Sequence, residues 1–173
     1  MTHVLMEAVV TADESLSSPE SQAVTFKALR KTVRKKAMDL LMRREQAVGE
    51  LQQKLNAKDY DADIVAEVVE QLALEGLVSD ARFTEAFVRY RANNGRGPQR
   101  IQSELRERGV DEKIQAAYLD MRDSRWFARA EQVRCKRFGD APPEDFKERA
   151  RQARFLQYRG FTSEQIREVL DDV

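Results

Sequence analysis

The strongest constraint on the fold is a long repeat. Leu55 and Tyr60, Leu105 and Val110, and Leu156 and Phe161 each stand five residues apart. The three pairs recur at intervals of about fifty residues. A basic residue precedes each junction, namely Lys58, Arg108 and Arg159. A period of this length implies stacked supersecondary units, each burying its apolar face against its neighbours.

The clearest unit lies around Arg82–Val110. Phe83, Phe87 and Tyr90 are spaced by four and three, as on one face of a helix. Asn93-Asn94-Gly95 ends that helix, because Asn and Gly accept left-handed backbone angles cheaply. Gly97-Pro98 opens the next, with Pro at the first helical position, where its missing N–H costs nothing. Ile101 and Leu105 form the buried stripe of this second helix, and Gly109 stops it. Asp111 can cap a third helix carrying Ile114, Ala117, Tyr118 and Met121.

The flanking segments repeat the pattern. Phe26, Leu29, Val33, Ala37, Leu40 and Leu41 step by three or four. Leu51 and Leu55 mark a short second helix, and Asp61 or Asp63 can cap a third bearing Ile64, Val65, Val68, Val69 and Leu72, with Gly76 at its end. After Ser124, Trp126, Phe127, Ala130, Val133 and Phe138 line a helix that Gly139 stops. Phe146, Ala150, Ala153, Phe155 and Leu156 lie on the next, which Gly160 ends. Thr162 and Gln165 have capping-box spacing before Ile166, Val169 and Leu170. No alternating strand pattern occurs. The expected fold is all-α, an elongated array of three tandem three-helix repeats over 26–78, 79–122 and 123–173. An acidic tail, 1–25, without Lys or Arg, precedes them.

Chemistry-bearing residues are sparse. His3 and Cys135 are the only histidine and cysteine, so a zinc site or a Cys–His nucleophile pair would lack partners. Gly95-Arg96-Gly97 is not followed by the Lys-Ser/Thr of a phosphate loop and reads as an interhelical turn. No catalytic residue, metal or cofactor is expected. A single cysteine, no long apolar run and no signal-peptide pattern point to a soluble cytoplasmic protein.

Thirty basic and thirty acidic residues cancel overall, but the basic ones are clustered. Eight lie between Lys27 and Arg44, with only Asp39 among them, and Arg34, Lys35, Lys36, Arg43 and Arg44 are candidate contacts. Arg89, Arg91, Arg96 and Arg100 gather around a turn shaped by Gly95, Gly97 and Pro98, with Gly109 shaping the next. A third cluster holds Arg122, Arg125, Arg129, Arg134, Lys136 and Arg137, of which Arg134 and Arg137 are candidate contacts. Arginine grips carboxylates and phosphates bidentately, so an acidic protein or a nucleic acid suits such clusters.

These segments resemble a known family. Gly76-Leu77-Val78-Ser79-Asp80-Ala81-Arg82-Phe83, Phe87-Val88-Arg89-Tyr90-Arg91, Gly95-Arg96-Gly97-Pro98, Arg100-Ile101, Glu104-Leu105 and Gly109-Val110 are similar to the core of the bacterial RecX family. Ala37–Leu41 with Arg43-Arg44-Glu45 resembles its first repeat, and Arg154-Phe155-Leu156 with Tyr158–Phe161 its last. Ala47 stands where such proteins often carry a small hydroxyl residue. The resemblance implies three tandem three-helix repeats and a non-enzymatic negative regulator of the recombinase RecA. Such a protein binds RecA–DNA filaments in the helical groove. It limits filament extension, and with it ATP hydrolysis, strand exchange and coprotease activity in recombination, repair and the SOS response. A monomer is expected, with single- or double-stranded DNA as a further direct partner and no membrane.

The alternative is a helix-turn-helix protein that binds DNA without RecA. Leu105 to Ile114 has that rhythm. The helix that follows offers Glu112, Lys113 and Gln115 but no Arg or Asn for reading bases.

Overall fold

The computed structural model describes residues 19–171, which form nine helices and no strand. The first unit contains α1 (Pro19–Leu41), α2 (Val48–Asn56) and α3 (Ala62–Leu74). The second contains α4 (Asp80–Asn93), α5 (Pro98–Arg106) and α6 (Glu112–Tyr118). The third contains α7 (Arg125–Phe138), α8 (Phe146–Arg159) and α9 (Ser163–Asp171). Within every unit each helix packs on the other two, and these contacts exceed any made between units. The architecture is therefore the expected tandem array of three-helix units.

Local chemistry sets the helix ends. Asp61, Ser79, Asp111 and Asp145 accept hydrogen bonds from backbone amides in the first turns of α3, α4, α6 and α8. Thr162 and Gln165 form a reciprocal capping box, Thr162 N to Gln165 Oε1 at 2.9 Å and Gln165 N to Thr162 Oγ1 at 3.2 Å. At the second-to-third helix junctions, Gly109 and Gly160 have φ of 74° and 93°. The amides of Val110 and Phe161 each reach back to the carbonyls of Leu105 and Leu156 at 3.2 Å, closing the helix ends. In the first unit the equivalent position is Asp59, with φ 58°.

The start of α1 differs from expectation. Pro19 opens the helix seven residues before Phe26, so residues 19–25 are helical rather than part of a tail. The remaining tail, residues 1–18, lies outside the described residues. At 23 residues, α1 is about 34 Å long, much longer than α2 or α3. Its core contribution starts at Val33 and Ala37, while Phe26 and Leu29 stay exposed.

Other residues of the expected apolar stripes are also outside the core, among them Tyr118, which ends α6 and is exposed. Tyr90 is 62% exposed. The buried positions of α4 run in steps of four from Thr84 to Ala92, with Val88 partly buried between them, so by the last turn the stripe has turned away from Tyr90. Phe146 is 85% exposed at the first position of α8, whose buried side is carried by Gln152 and Leu156.

Two apolar cores result. Val33, Ala37, Leu51, Leu55, Ile64, Val65, Val68, Val69, Leu72 and Val78 fill the first unit. The second core is continuous through the second and third units, from Phe83 to Leu170, and takes in Ala47 from the first. The seam between the second and third units is backbone on backbone. Gly97 N donates to Arg159 O at 2.8 Å and Gln99 N to Gly160 O at 3.0 Å. A related approach joins the first and second units, where a Cβ on Gly49 would lie 2.7 Å from Arg108 O.

Candidate partner-binding surface

The first basic cluster lies on α1 and the loop after it. Arg34 donates to Glu75 Oε1 at 3.1 Å and Arg30 pairs with Glu67 at 2.9 Å, so part of this charge is spent on α3 and its C-terminal end. Arg44 is held by Glu50 at 3.2 Å and by the carbonyl of Glu45 at 3.0 Å. Lys35 and Arg43 are exposed and Lys36 is half-buried.

Glu50 collects Arg44 and Lys54. Burial pushes its carboxyl up, but the hydrogen bonds from Arg44 and Lys54 outweigh this, and the group lies below the ordinary glutamate range. Nearby, Ala47 offers no hydroxyl to cap α2. The second unit supplies the missing acceptor, because Val48 N donates to Asp80 Oδ1 at 2.8 Å. Burial raises the Asp80 carboxyl above the ordinary aspartate range, the bond from Val48 works against the rise, and Asp111 adds to it.

The four arginines around the Gly-Pro turn do not act as one group. Arg91 and Arg100 both turn onto Glu104, at 2.6 and 3.2 Å. The Glu104 side chain is 9% exposed, so two of the four positive charges support the fold of the second unit. Arg91 and Arg108 also flank the Phe87 ring, with centroid distances of 5.1 and 4.8 Å. Arg89 is exposed and Arg96 half-buried.

Arg134 points inward rather than to the surface. It is 4% exposed and donates to the carbonyls of Gly139, Asp140 and Ala141 at 3.3, 3.3 and 3.0 Å. It thereby satisfies carbonyls just beyond the C-terminal end of α7, while Glu131 accepts from it at 2.9 and 2.7 Å. The bond from Arg134 lowers the Glu131 carboxyl, and the pair holds the guanidinium fully charged. The thiol of Cys135 is pushed up to about 11 by burial and by hydrogen bonds to Glu131 and Asp140, so it stays protonated at neutral pH. Among the described residues no group of acids, Cys and His could hold a metal ion.

Arg137 is exposed, and the seam brings it company. A groove of 340 Å³ between the α4–α5 turn and helices α7 and α8 contains Arg129, Lys136, Arg137 and Arg159. Arg129 and Lys136 belong to the third sequence cluster, whose candidate contacts are Arg134 and Arg137, and Arg159 is the junction residue of the third unit. The signal for the α7 residues was available: positions 129, 133, 136 and 137 share one helical face. Arg159 reaches the groove only through the tertiary contact at Gly160.

The fold and surface define a tandem helical-repeat protein with basic side chains along its units, and comparison with known proteins identifies which. Residues 34–72, 79–119 and 123–170 match the first, second and third three-helix domains of RecX, in that order. The chain belongs to the RecX family of regulatory proteins. It is 46% identical over 140 residues to regulatory protein RecX of Halorhodospira halophila, covering 81% of this chain and 87% of that one. To regulatory protein RecX of Pseudomonas entomophila it is 44% identical over 138 residues, covering 80% and 89%. The fold is also that of solved structures. RecX from Lactobacillus salivarius superposes with a TM-score of 0.71 at 18% identity, over 84% of this chain and 97% of that one. A second structure, regulatory protein RecX, gives 0.77 at 20% identity, over 91% and 80%. No helix among the described residues is long and apolar enough to cross a membrane.

Proposed function

We propose that this chain is a negative regulator of RecA that binds RecA–DNA filaments along their helical groove. By occupying that groove it restrains filament extension, ATP hydrolysis, strand exchange and coprotease activity in recombination, repair and the SOS response. It acts as a cytoplasmic monomer and without catalysis of its own.

The observation that carries this reading is the presence of all three RecX three-helix domains in order along the chain. The surface chemistry supports it. Lys35 and Arg43 in the first unit, Arg89 in the second, and Lys136 and Arg137 in the third are exposed, so a long acidic partner can meet positive charge on every unit. The contact surface proposed is therefore Lys35, Lys36, Arg43, Arg89, Arg96, Lys136 and Arg137, with Arg34, Arg44, Arg91, Arg100 and Arg134 engaged within the fold.

The test is RecA ATPase on single-stranded DNA with this protein added below stoichiometry. Suppression is the expected result, and undiminished turnover over the full concentration range would sink the reading. Direct helix-turn-helix readout of a duplex is not favoured. The Gln115 side chain on α6 is buried and donates to Val110 O at 2.8 Å, so it is not offered to bases. A gel shift with and without RecA separates the two.

A further inference from the structure

We infer that the groove between the second and third units is a binding site for a phosphoanion with at least two adjacent phosphoryl groups. Its four cations come from two helices: Arg129, Lys136 and Arg137 from α7, and Arg159 from the last turn of α8. No carboxylate lines the groove. This sets it apart from the other basic clusters, where Glu67 and Glu75, or Glu104, take up the arginines.

Helix ends explain only part of this charge. The C-termini of α4, α7 and α8 lie nearby and contribute about −0.5 each, and Asp123, outside the groove, interacts with Arg129, yet the four cations still leave the groove net positive. Two of the three guanidinium groups, those of Arg129 and Arg159, are also held in place before any ligand arrives. Arg129 lies over the Trp126 ring at 5.8 Å and donates to Asn93 Oδ1 at 3.2 Å. Arg159 lies over the Phe155 ring at 5.1 Å. A guanidinium stacked on a ring keeps its N–H edge available for bidentate contact with phosphoryl oxygens. Lys136 and Arg137 are exposed.

The backbone shapes the space. Gly95 has φ 71°, and a Cβ there would lie 2.9 Å from Val133 Cγ2, so a side chain at this turn would be strained and would displace Val133. The volume of 340 Å³ is at the small end of the ligand-site range of about 300–1,000 Å³. A single carboxylate would leave most of the cations uncompensated, whereas a run of phosphoryl groups matches their number. That run is either a free polyphosphate chain or consecutive phosphodiesters of a nucleic-acid strand.

The test uses the full chain and two probes: calorimetric titration with tripolyphosphate, and anisotropy of a labelled single-stranded oligonucleotide across a salt series. The variant is Lys136→Gln with Arg137→Gln, both exposed, and the control is Lys27→Gln with Lys31→Gln, both exposed on α1. Circular dichroism checks that all three proteins are folded. Tripolyphosphate binding by the wild type and the control, weakened at least tenfold in the groove variant, assigns the site to free phosphate chains. No tripolyphosphate binding, with an oligonucleotide salt slope lowered by about 1.4 in the groove variant alone, assigns it to a strand backbone. Wild-type binding of neither probe overturns the inference, as does equal behaviour of the groove variant and the control. The inference goes beyond the RecA reading, and neither assay contains RecA. A wild type that fails to suppress RecA turnover would reject that reading and leave the groove to be decided by phosphate binding.

Discussion

Gly97 and Gly160 meet backbone to backbone across the boundary between two units. A Cβ on Gly97 would lie 2.3 Å from the carbonyl carbon of Gly160, and one on Gly160 would lie 2.6 Å from the amide nitrogen of Arg100. Neither neighbour can swing aside, because both are main chain. Gly97→Ala should therefore force the seam apart, breaking the bonds from Gly97 and Gln99 to the third unit. The expected loss is about 2–4 kcal/mol of stability, read from urea denaturation. An unchanged midpoint would mean that the seam is not held closed.

The arginines around the turn divide into two roles, and charge reversal distinguishes them. Arg91→Glu places a second carboxylate beside the buried Glu104 and removes one of its two arginines. It should cost about 2–3 kcal/mol, below the range for a fully buried pair because Arg91 retains some exposure. Arg137→Glu, on an exposed side chain, should change stability by less than about 0.5 kcal/mol. Equal melting temperatures for these two variants would contradict the division.

Asp80 caps a helix in the preceding unit, and its removal should be felt there. Asp80→Ala leaves Val48 N without its acceptor and should lower stability by about 1 kcal/mol. Asp80→Asn keeps a carbonyl oxygen in place and removes a carboxylate whose ionisation burial disfavours. The asparagine variant should therefore be the more stable of the two at pH 7. The reverse order in thermal melts would show that the charge, rather than the hydrogen bond, holds α2.

Acid should weaken the first unit through Glu50. Its folded-state pKa lies below its ordinary value of 4.5, so its ionised form is bound more tightly in the folded protein. The resulting stability is complete above pH 4.5 and is lost as pH falls below that value through the folded pKa. Glu50→Gln should lower stability at pH 7 and flatten the acid limb. Parallel stability–pH curves for wild type and variant below pH 5 would refute the assignment.

The fold was more legible in the sequence than the surface. Gly109 and Gly160 announce two of the three junctions, since left-handed backbone favours glycine. The first junction carries Asp59, which adopts the same conformation without that signature. Stripes such as Ile101 with Leu105 identify core directly, but the drift of a stripe along α4 placed Tyr90 outside it. For the surface, adjacency in sequence misleads because charge is partitioned in three dimensions. Glu104 stands one turn beyond Arg100, a spacing visible in the sequence, yet its capture of Arg91 depends on how α4 folds against α5. Arg134 looks like its basic neighbours until the chain after Gly139 turns back and offers it three carbonyls.

The separation of the two cores has a consequence for tolerance to damage. Leu51 and Leu72 belong to a compartment closed within one unit, whereas Leu105 and Leu156 share a compartment that spans the last two and takes only Ala47 from the first. The boundary acts like a bulkhead. A cavity opened behind it in the first unit is confined there and leaves the Gly97–Gly160 seam aligned. A cavity opened at Leu105 or Leu156 loosens both sides of that seam at once. The single-residue faults that threaten the whole array are thus concentrated in the last two units.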